Sequence, residues 1–265
     1  MRGETVRQTG IAAIHHQGVL GEIVGSDAQE VADLDEPAMF RTQIRAVLRA
    51  AVTANLHLMI PLVTRLDEVE RTREMMREEA DRLEKQGVPA AKTVPLGVMV
   101  ETPAAAVMAD RLAEVSDFLS VGTNDLTQYT LVVDRANARL ADRFTPHDPS
   151  VLRLLKLVAD AARSAGKPAS VCGEMASEPL SAFLLLGLGY DTLSVAPPKL
   201  PLIRWLIRQV TTAQARAAAD AALAARSAEL ALDILRFALA EAVDPNMLDP
   251  DARLPAGRRS GSLKL

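Results

Sequence analysis

Five short apolar runs recur along the chain, each of strand length, with amphipathic stretches between them. They lie near 57–63, 96–101, 118–122, 169–172 and 192–196. The intervening stretches have helical period. Phe40, Ile44, Val47, Leu48 and Ala51 share one side of a helix over 38–53, and Leu66, Val69, Met76 and Leu83 share one side of a charged helix over 66–86. Further helices are expected over 104–114, 126–134, 149–165, 179–187 and 199–210. Strands that alternate with helices in this way form parallel βα units, so the chain is an α/β protein. A closed eight-stranded barrel needs eight such units. The 265 residues would suffice for one, but only about five strands can be read.

The remaining segments are of other kinds. Residues 1–37 form a divergent leader in which 9–24 read as a hairpin broken at Gln17-Gly18, and 25–37 are acidic. Residues 38–210 hold the βα units. An alanine-rich helix is expected over 211–243, and 244–265 read as a disordered tail. Thirty Lys+Arg against 34 Asp+Glu argue against a nucleic-acid binder. No uncharged apolar run reaches membrane-spanning length, and the N-terminus lacks the apolar core of a secretory signal. One cysteine excludes an intrachain disulfide, which suits a reducing cytoplasm.

The residues able to carry chemistry sit where the apolar runs stop. Glu101 follows one run, Asn124-Asp125 another, and Cys172-Gly173-Glu174 a third. Parallel αβ folds bring such strand ends together at one edge, where their sites lie. Two carboxylates on adjacent strand ends suit a hard divalent cation such as Mg²⁺, which completes its octahedron with water and substrate oxygens. Singly, each acid reads equally as a helix cap or a surface charge. Cys172 reads either as a packed small side chain or as a proton donor to a substrate carbon. The four histidines, His15, His16, His57 and His147, have no metal-ligand spacing and read as structural or surface groups.

Four motifs, in order, resemble one family. They are Val98-Met-Val-Glu-Thr-Pro-Ala-Ala-Ala106, Ser120-Val-Gly-Thr-Asn-Asp-Leu-Thr-Gln-Tyr-Thr130, Asp134-Arg135 and Val171-Cys-Gly-Glu-Met-Ala176. They are similar to the phosphoenolpyruvate-binding domain of the phosphoenolpyruvate-protein phosphotransferases, the Enzyme I family of the sugar phosphotransferase system. Phe40-Arg-Thr-Gln-Ile-Arg-Ala-Val-Leu-Arg-Ala50 also resembles it, and the likeness covers about residues 36–210.

The resemblance implies an incomplete (β/α)8 TIM-type barrel of about five units and assigns roles within it. Glu101 and Asp125 match Mg²⁺ ligands, with Mn²⁺ as the substitute metal. Asn124 and Asp125 lie in the substrate-binding turn, where Asn124 contacts the substrate phosphate. Arg135 matches a phosphate-binding arginine, and Cys172 the acid that protonates the enolate to give pyruvate. The family's barrel begins three βα units earlier, and those units carry two further phosphate-binding arginines. Where the family has Gly-x-Arg, this chain reads Val31-Ala-Asp-Leu-Asp-Glu-Pro37. A phosphohistidine domain is also absent from the likeness. The expectation is therefore a chain that does not pass phosphate to a carrier protein by itself, and whose open sheet leaves an apolar inner face partly covered by the C-terminal helix.

Three readings remain open at this point. The first is a truncated phosphotransferase-type domain that binds Mg²⁺ and phosphoenolpyruvate or pyruvate. The second is a non-catalytic remnant that forms homo-oligomers or pairs with a full-length paralogue. The third is a metal-dependent pyruvate-enolate lyase, against which the 123–130 block and the Cys-Gly-Glu turn argue.

Overall fold

The computed structural model describes residues 21–24, 37–135, 137–244 and 247. In it six strands form one wholly parallel sheet in sequence order. They are β1 (Gly21–Val24), β2 (Leu56–Ile60), β3 (Leu96–Val100), β4 (Phe118–Gly122), β5 (Ala169–Cys172) and β6 (Thr192–Leu193). Sequential parallel order is that of a barrel wall, in which each unit lies beside the one before it. Among the described residues the sheet is open, with β1 and β6 at its edges.

The helices between the strands are α1 (Pro37–Ala50), α2 (Leu66–Lys85), α3 (Pro103–Val107), α4 (Ala109–Val115), α5 (Thr123–Leu131), α6 (Pro149–Ser164), α7 (Pro179–Leu188) and α8 (Leu200–Gln209). The tail adds α9 (Thr212–Leu223) and α10 (Ala228–Ala240).

Strand β1 falls in the second arm of the hairpin read over 9–24, and it pairs in parallel with β2, Gly21 opposite Leu56 and Val24 opposite Met59. A sixth parallel strand thus extends the five. The proposed turn at Gln17-Gly18 and the first arm lie outside the described residues, as do most of the acidic stretch and most of the tail beyond 244.

Register sorts the strand side chains onto two faces, because alternate residues point opposite ways. Leu58, Ile60, Leu96, Val98, Val100, Leu119, Val121, Ala169, Val171 and Leu193 are all buried on one face. They form one core with helix residues such as Leu112, Leu155 and Leu184. Aliphatic residues on β2 to β6 give this face no polar side chain to satisfy, so helices can cover it completely. The opposite face is mixed rather than apolar: Met59 and Met99 accompany Ser120, Ser170 and Thr192, and Phe118 lies over Gly97. A Cβ on Gly97 would come within 2.2 Å of the Phe118 ring. The ring centroids of Phe118 and His57 are 5.4 Å apart.

Helix α1 is fastened to α2 by charge. Glu79 is almost fully buried and accepts from Arg41 and Arg45, both at 3.0 Å. Burial alone would raise its pKa, but the two guanidinium hydrogen bonds and charges outweigh that and hold the carboxyl below its usual range.

The alanine-rich stretch forms two helices, not one. The Ala224 and Ala225 N–H groups bond three residues back, which tightens and ends α9. The Ser227 hydroxyl then accepts from Leu230 N–H at 3.2 Å and starts α10. These helices pack on α7, in the helical layer. Contact is closest at Gly187, where a Cβ would lie 2.1 Å from the Ala215 carbonyl oxygen. That neighbour helps bury most of α7 although it is an outer helix. Among the described residues no helix is long and apolar enough to cross a membrane.

Candidate active site

The carboxyl ends of β3, β4 and β5 converge on one edge of the sheet. Glu101 is the residue after β3 and is only 6% exposed. Its Oε2 accepts from the Leu62 backbone N–H at 2.9 Å. Leu62 lies just past β2 with φ of 50°, a left-handed conformation uncommon for leucine. Thr102 ties the same two strand ends, donating to the Val63 carbonyl at 3.3 Å and accepting from Ala105 N–H at 3.1 Å as the cap of α3.

The Glu101 side chain reaches across β4. A Cβ on Gly122 would lie 2.5 Å from Glu101 Oε1 and 2.6 Å from its Cγ. Only glycine at that strand end leaves room for the carboxylate. Beyond it, Asp125 sits in the first turn of α5, where the helix dipole favours an anion. Glu101 and Asp125 interact directly, through charge and a side-chain hydrogen bond. Burial raises the Glu101 pKa to about 7. The Leu62 N–H opposes that rise, and the Asp125 charge and hydrogen bond add to it. Among the described residues there is no larger cluster of metal-ligating side chains.

The β4 and β5 ends are joined by several contacts. Gly122 and Cys172 are register partners. The Thr123 hydroxyl donates to the Cys172 carbonyl at 3.1 Å, and Glu174 N–H to Asn124 Oδ1 at 3.5 Å. Between them Gly173 has φ of 101°, and a Cβ there would meet Thr123 Oγ1 at 2.5 Å. The Cys172 thiol donates to the Val121 carbonyl at 3.4 Å, and the Ser120 hydroxyl donates to Cys172 Sγ at 3.8 Å.

Of the residues singled out in the sequence, Glu101, Asn124, Asp125 and Cys172 come together at this edge. Arg135 does not join them by contact. It is exposed on the loop after α5, with its backbone N–H donated to Gln128 Oε1 at 3.2 Å. Among the described residues its guanidinium makes no ion pair. Reasoning from sequence passed over Leu62, Ser120, Gly122 and Thr123. Gly122 had a readable signal, a glycine between an apolar run and a polar helix start. Leu62 had none, since its part rests on a backbone N–H.

The family profile for the PEP-utilising enzyme, PEP-binding domain, matches residues 30–212. A phosphoenolpyruvate-protein phosphotransferase of Bacillus sp. (strain S) is 42% identical over 209 residues, which is 78% of this chain and 36% of that protein. That of Enterococcus faecalis is 44% identical over 185 residues, 70% of this chain and 32% of that one. That of Geobacillus stearothermophilus is 41% identical over 209 residues, with shares of 78% and 36%. The chain thus spans about a third of the length of the curated relatives it matches. Among solved structures, a citrate lyase of Burkholderia xenovorans overlaps 80% of this chain and 73% of its own, at 20% identity and a TM-score of 0.48.

Proposed function

The chain belongs to the PEP-utilising enzyme family, in its PEP-binding domain, and on that premise we propose that the β3–β5 edge binds phosphoenolpyruvate with a divalent cation and handles the enolate of pyruvate. The observation that carries this reading is the Glu101–Asp125 pair. A buried carboxylate, kept in place by a backbone N–H and facing a second carboxylate over a glycine, is costly unless a cation offsets the charge. The donor set is hard oxygen, and two carboxylates suit Mg²⁺, or Mn²⁺, with substrate oxygens completing the shell. Glu101 and Asp125 would hold the ion. Bound there, it would stabilise negative charge on substrate oxygens.

The other residues act on the substrate itself. Asn124, its amide oxygen engaged by Glu174 N–H, offers its amide N–H₂ to a phosphate oxygen. Arg135, on the loop held by Gln128, would supply a guanidinium fork to the same group. When the phosphoryl group leaves for a nucleophilic acceptor, the bridging P–O bond breaks and its electrons stay on the enolate. Cys172 then gives its thiol proton to the enolate methylene carbon. A C–H bond forms, pyruvate results, and the thiolate regains a proton from solvent. In reverse, the thiolate takes a methyl proton from pyruvate.

Phosphoryl transfer within the sugar phosphotransferase system, in a cytoplasmic setting, is the activity this proposal assigns to the longer protein type. The experiment needs only the partial reaction. Pyruvate in D₂O with the chain and Mg²⁺ should exchange its methyl protons, followed by NMR. Exchange that stops with chelator, and with Cys172→Ala, supports the reading. Exchange at the same rate in Cys172→Ala or without metal would refute it.

A further inference from the structure

The mixed face of the sheet places a hydroxyl two residues before the β4 glycine and points it at the one cysteine of the chain. Ser120 is buried, in the middle of β4, opposite Ser170 of β5. Its hydroxyl donates to Cys172 Sγ at 3.8 Å, a distance suited to sulfur as acceptor. The sulfur in turn donates to the Val121 carbonyl at 3.4 Å. Ser170, though next to Cys172 on the same face, donates elsewhere, to the Leu119 carbonyl at 3.5 Å. Two hydroxyls of equal chemistry therefore stand side by side, and the hydrogen bond to the sulfur comes from Ser120.

We propose that Ser120 is a positioning residue: its hydroxyl fixes the rotamer of Cys172 at the strand end and stabilises the sulfur once the thiol proton has been given up. This rests on the reading of Cys172 as the proton donor. A thiol that both donates to a carbonyl and accepts from a hydroxyl has two defined states. Protonated, it is parked on Val121. Deprotonated, it keeps the Ser120 hydrogen bond, and a hydrogen bond to an ion is stronger than one to its neutral form. Ser120 touches neither substrate nor metal in this scheme. It acts through the sulfur.

The test uses the full chain, in which alkylation reports one cysteine only. Ser120→Ala should slow iodoacetamide modification of Cys172 about tenfold, the effect of one hydrogen bond to an ionised group. Methyl exchange of pyruvate should slow by a like factor, with pyruvate affinity by calorimetry unchanged. Ser120→Thr should restore both rates, and Ser120→Val, which matches threonine in volume but lacks the hydroxyl, should not. Ser170→Ala should alkylate at the parental rate. Parental alkylation in the Ala and Val variants would overturn the proposal, and so would equal slowing in Ser170→Ala. The underlying reading fails separately: if Cys172→Ala keeps full methyl exchange, the cysteine is not the acid, whereas the alkylation series still decides what Ser120 does to the sulfur.

Discussion

Replacing Glu101 by glutamine should stabilise the metal-free protein above neutral pH and make it indifferent to Mg²⁺. The Glu101 carboxyl titrates at 4.5 when free and at about 7 here, chiefly because it is buried. A carboxyl with a raised folded pKa binds its proton more tightly in the native state. Its contribution to stability is therefore complete below pH 4.5 and is lost as pH rises through about 7. At about 1.4 kcal/mol for each pH unit between those values, the loss is about 3 kcal/mol by pH 8.

Glutamine has the same shape and no charge. Its carbonyl oxygen can accept from Leu62 N–H and its amide can donate to Asp125. Urea unfolding in chelator should give the variant up to about 3 kcal/mol more stability at about pH 8 and no advantage at about pH 4. With excess Mg²⁺ the order should reverse, because ligand binding to the native state stabilises only the protein that binds it. A variant no more stable than the parent at alkaline pH, or one that Mg²⁺ stabilises equally, would refute the reasoning.

Four further outcomes are expected. Gly122→Ala places a Cβ 2.5 Å from Glu101 Oε1, so it should cost Mg²⁺-dependent stabilisation in thermal melts while far-UV circular dichroism is kept. Arg135→Ala should weaken phosphoenolpyruvate binding by calorimetry about tenfold or more, the loss of one charge-assisted contact. Glu79→Ala should destabilise by about 2 kcal/mol in urea, since Arg41 and Arg45 lose their partner yet keep partial access to water. Glu79 is the opposite case to Glu101: its pKa is lowered, so its contribution is present above pH 4.5 and fades as pH falls below that value. Gly187→Ala drives a Cβ to 2.1 Å from the Ala215 oxygen and should cost about 1–3 kcal/mol by parting α7 from α9.

How far the sequence could be read depended on how local the cause was. Strands β3, β4 and β5 are strong because apolar runs end at residues that cannot continue them, such as Glu101-Thr102-Pro103 and Gly173. Strand β1 is only four residues, the first of them Gly21, and pairing with β2 makes it a strand. The helix expected over 104–114 bends at Met108, where ψ is 14° and α3 gives way to α4. Alanine-rich sequence has helix propensity throughout 211–242, so the break before Ser227 depends on one capping hydroxyl and on packing against α7. At the site, acids at strand ends were legible. That Glu101 leans over Gly122 and takes its hydrogen bond from Leu62 was not, because both depend on how neighbouring strands meet. Arg135 was marked by motif alone, and the fold leaves it on an exposed loop.

The account stands on the claim that Glu101 and Asp125 form a cation site on which phosphoenolpyruvate binding depends. Titration calorimetry of the chain with phosphoenolpyruvate tests it most directly, with Mg²⁺ and with chelator, in the parent and in Glu101→Gln. Binding should appear only in the parent and only with Mg²⁺. Equal binding with and without metal, or undiminished binding in Glu101→Gln, would contradict it.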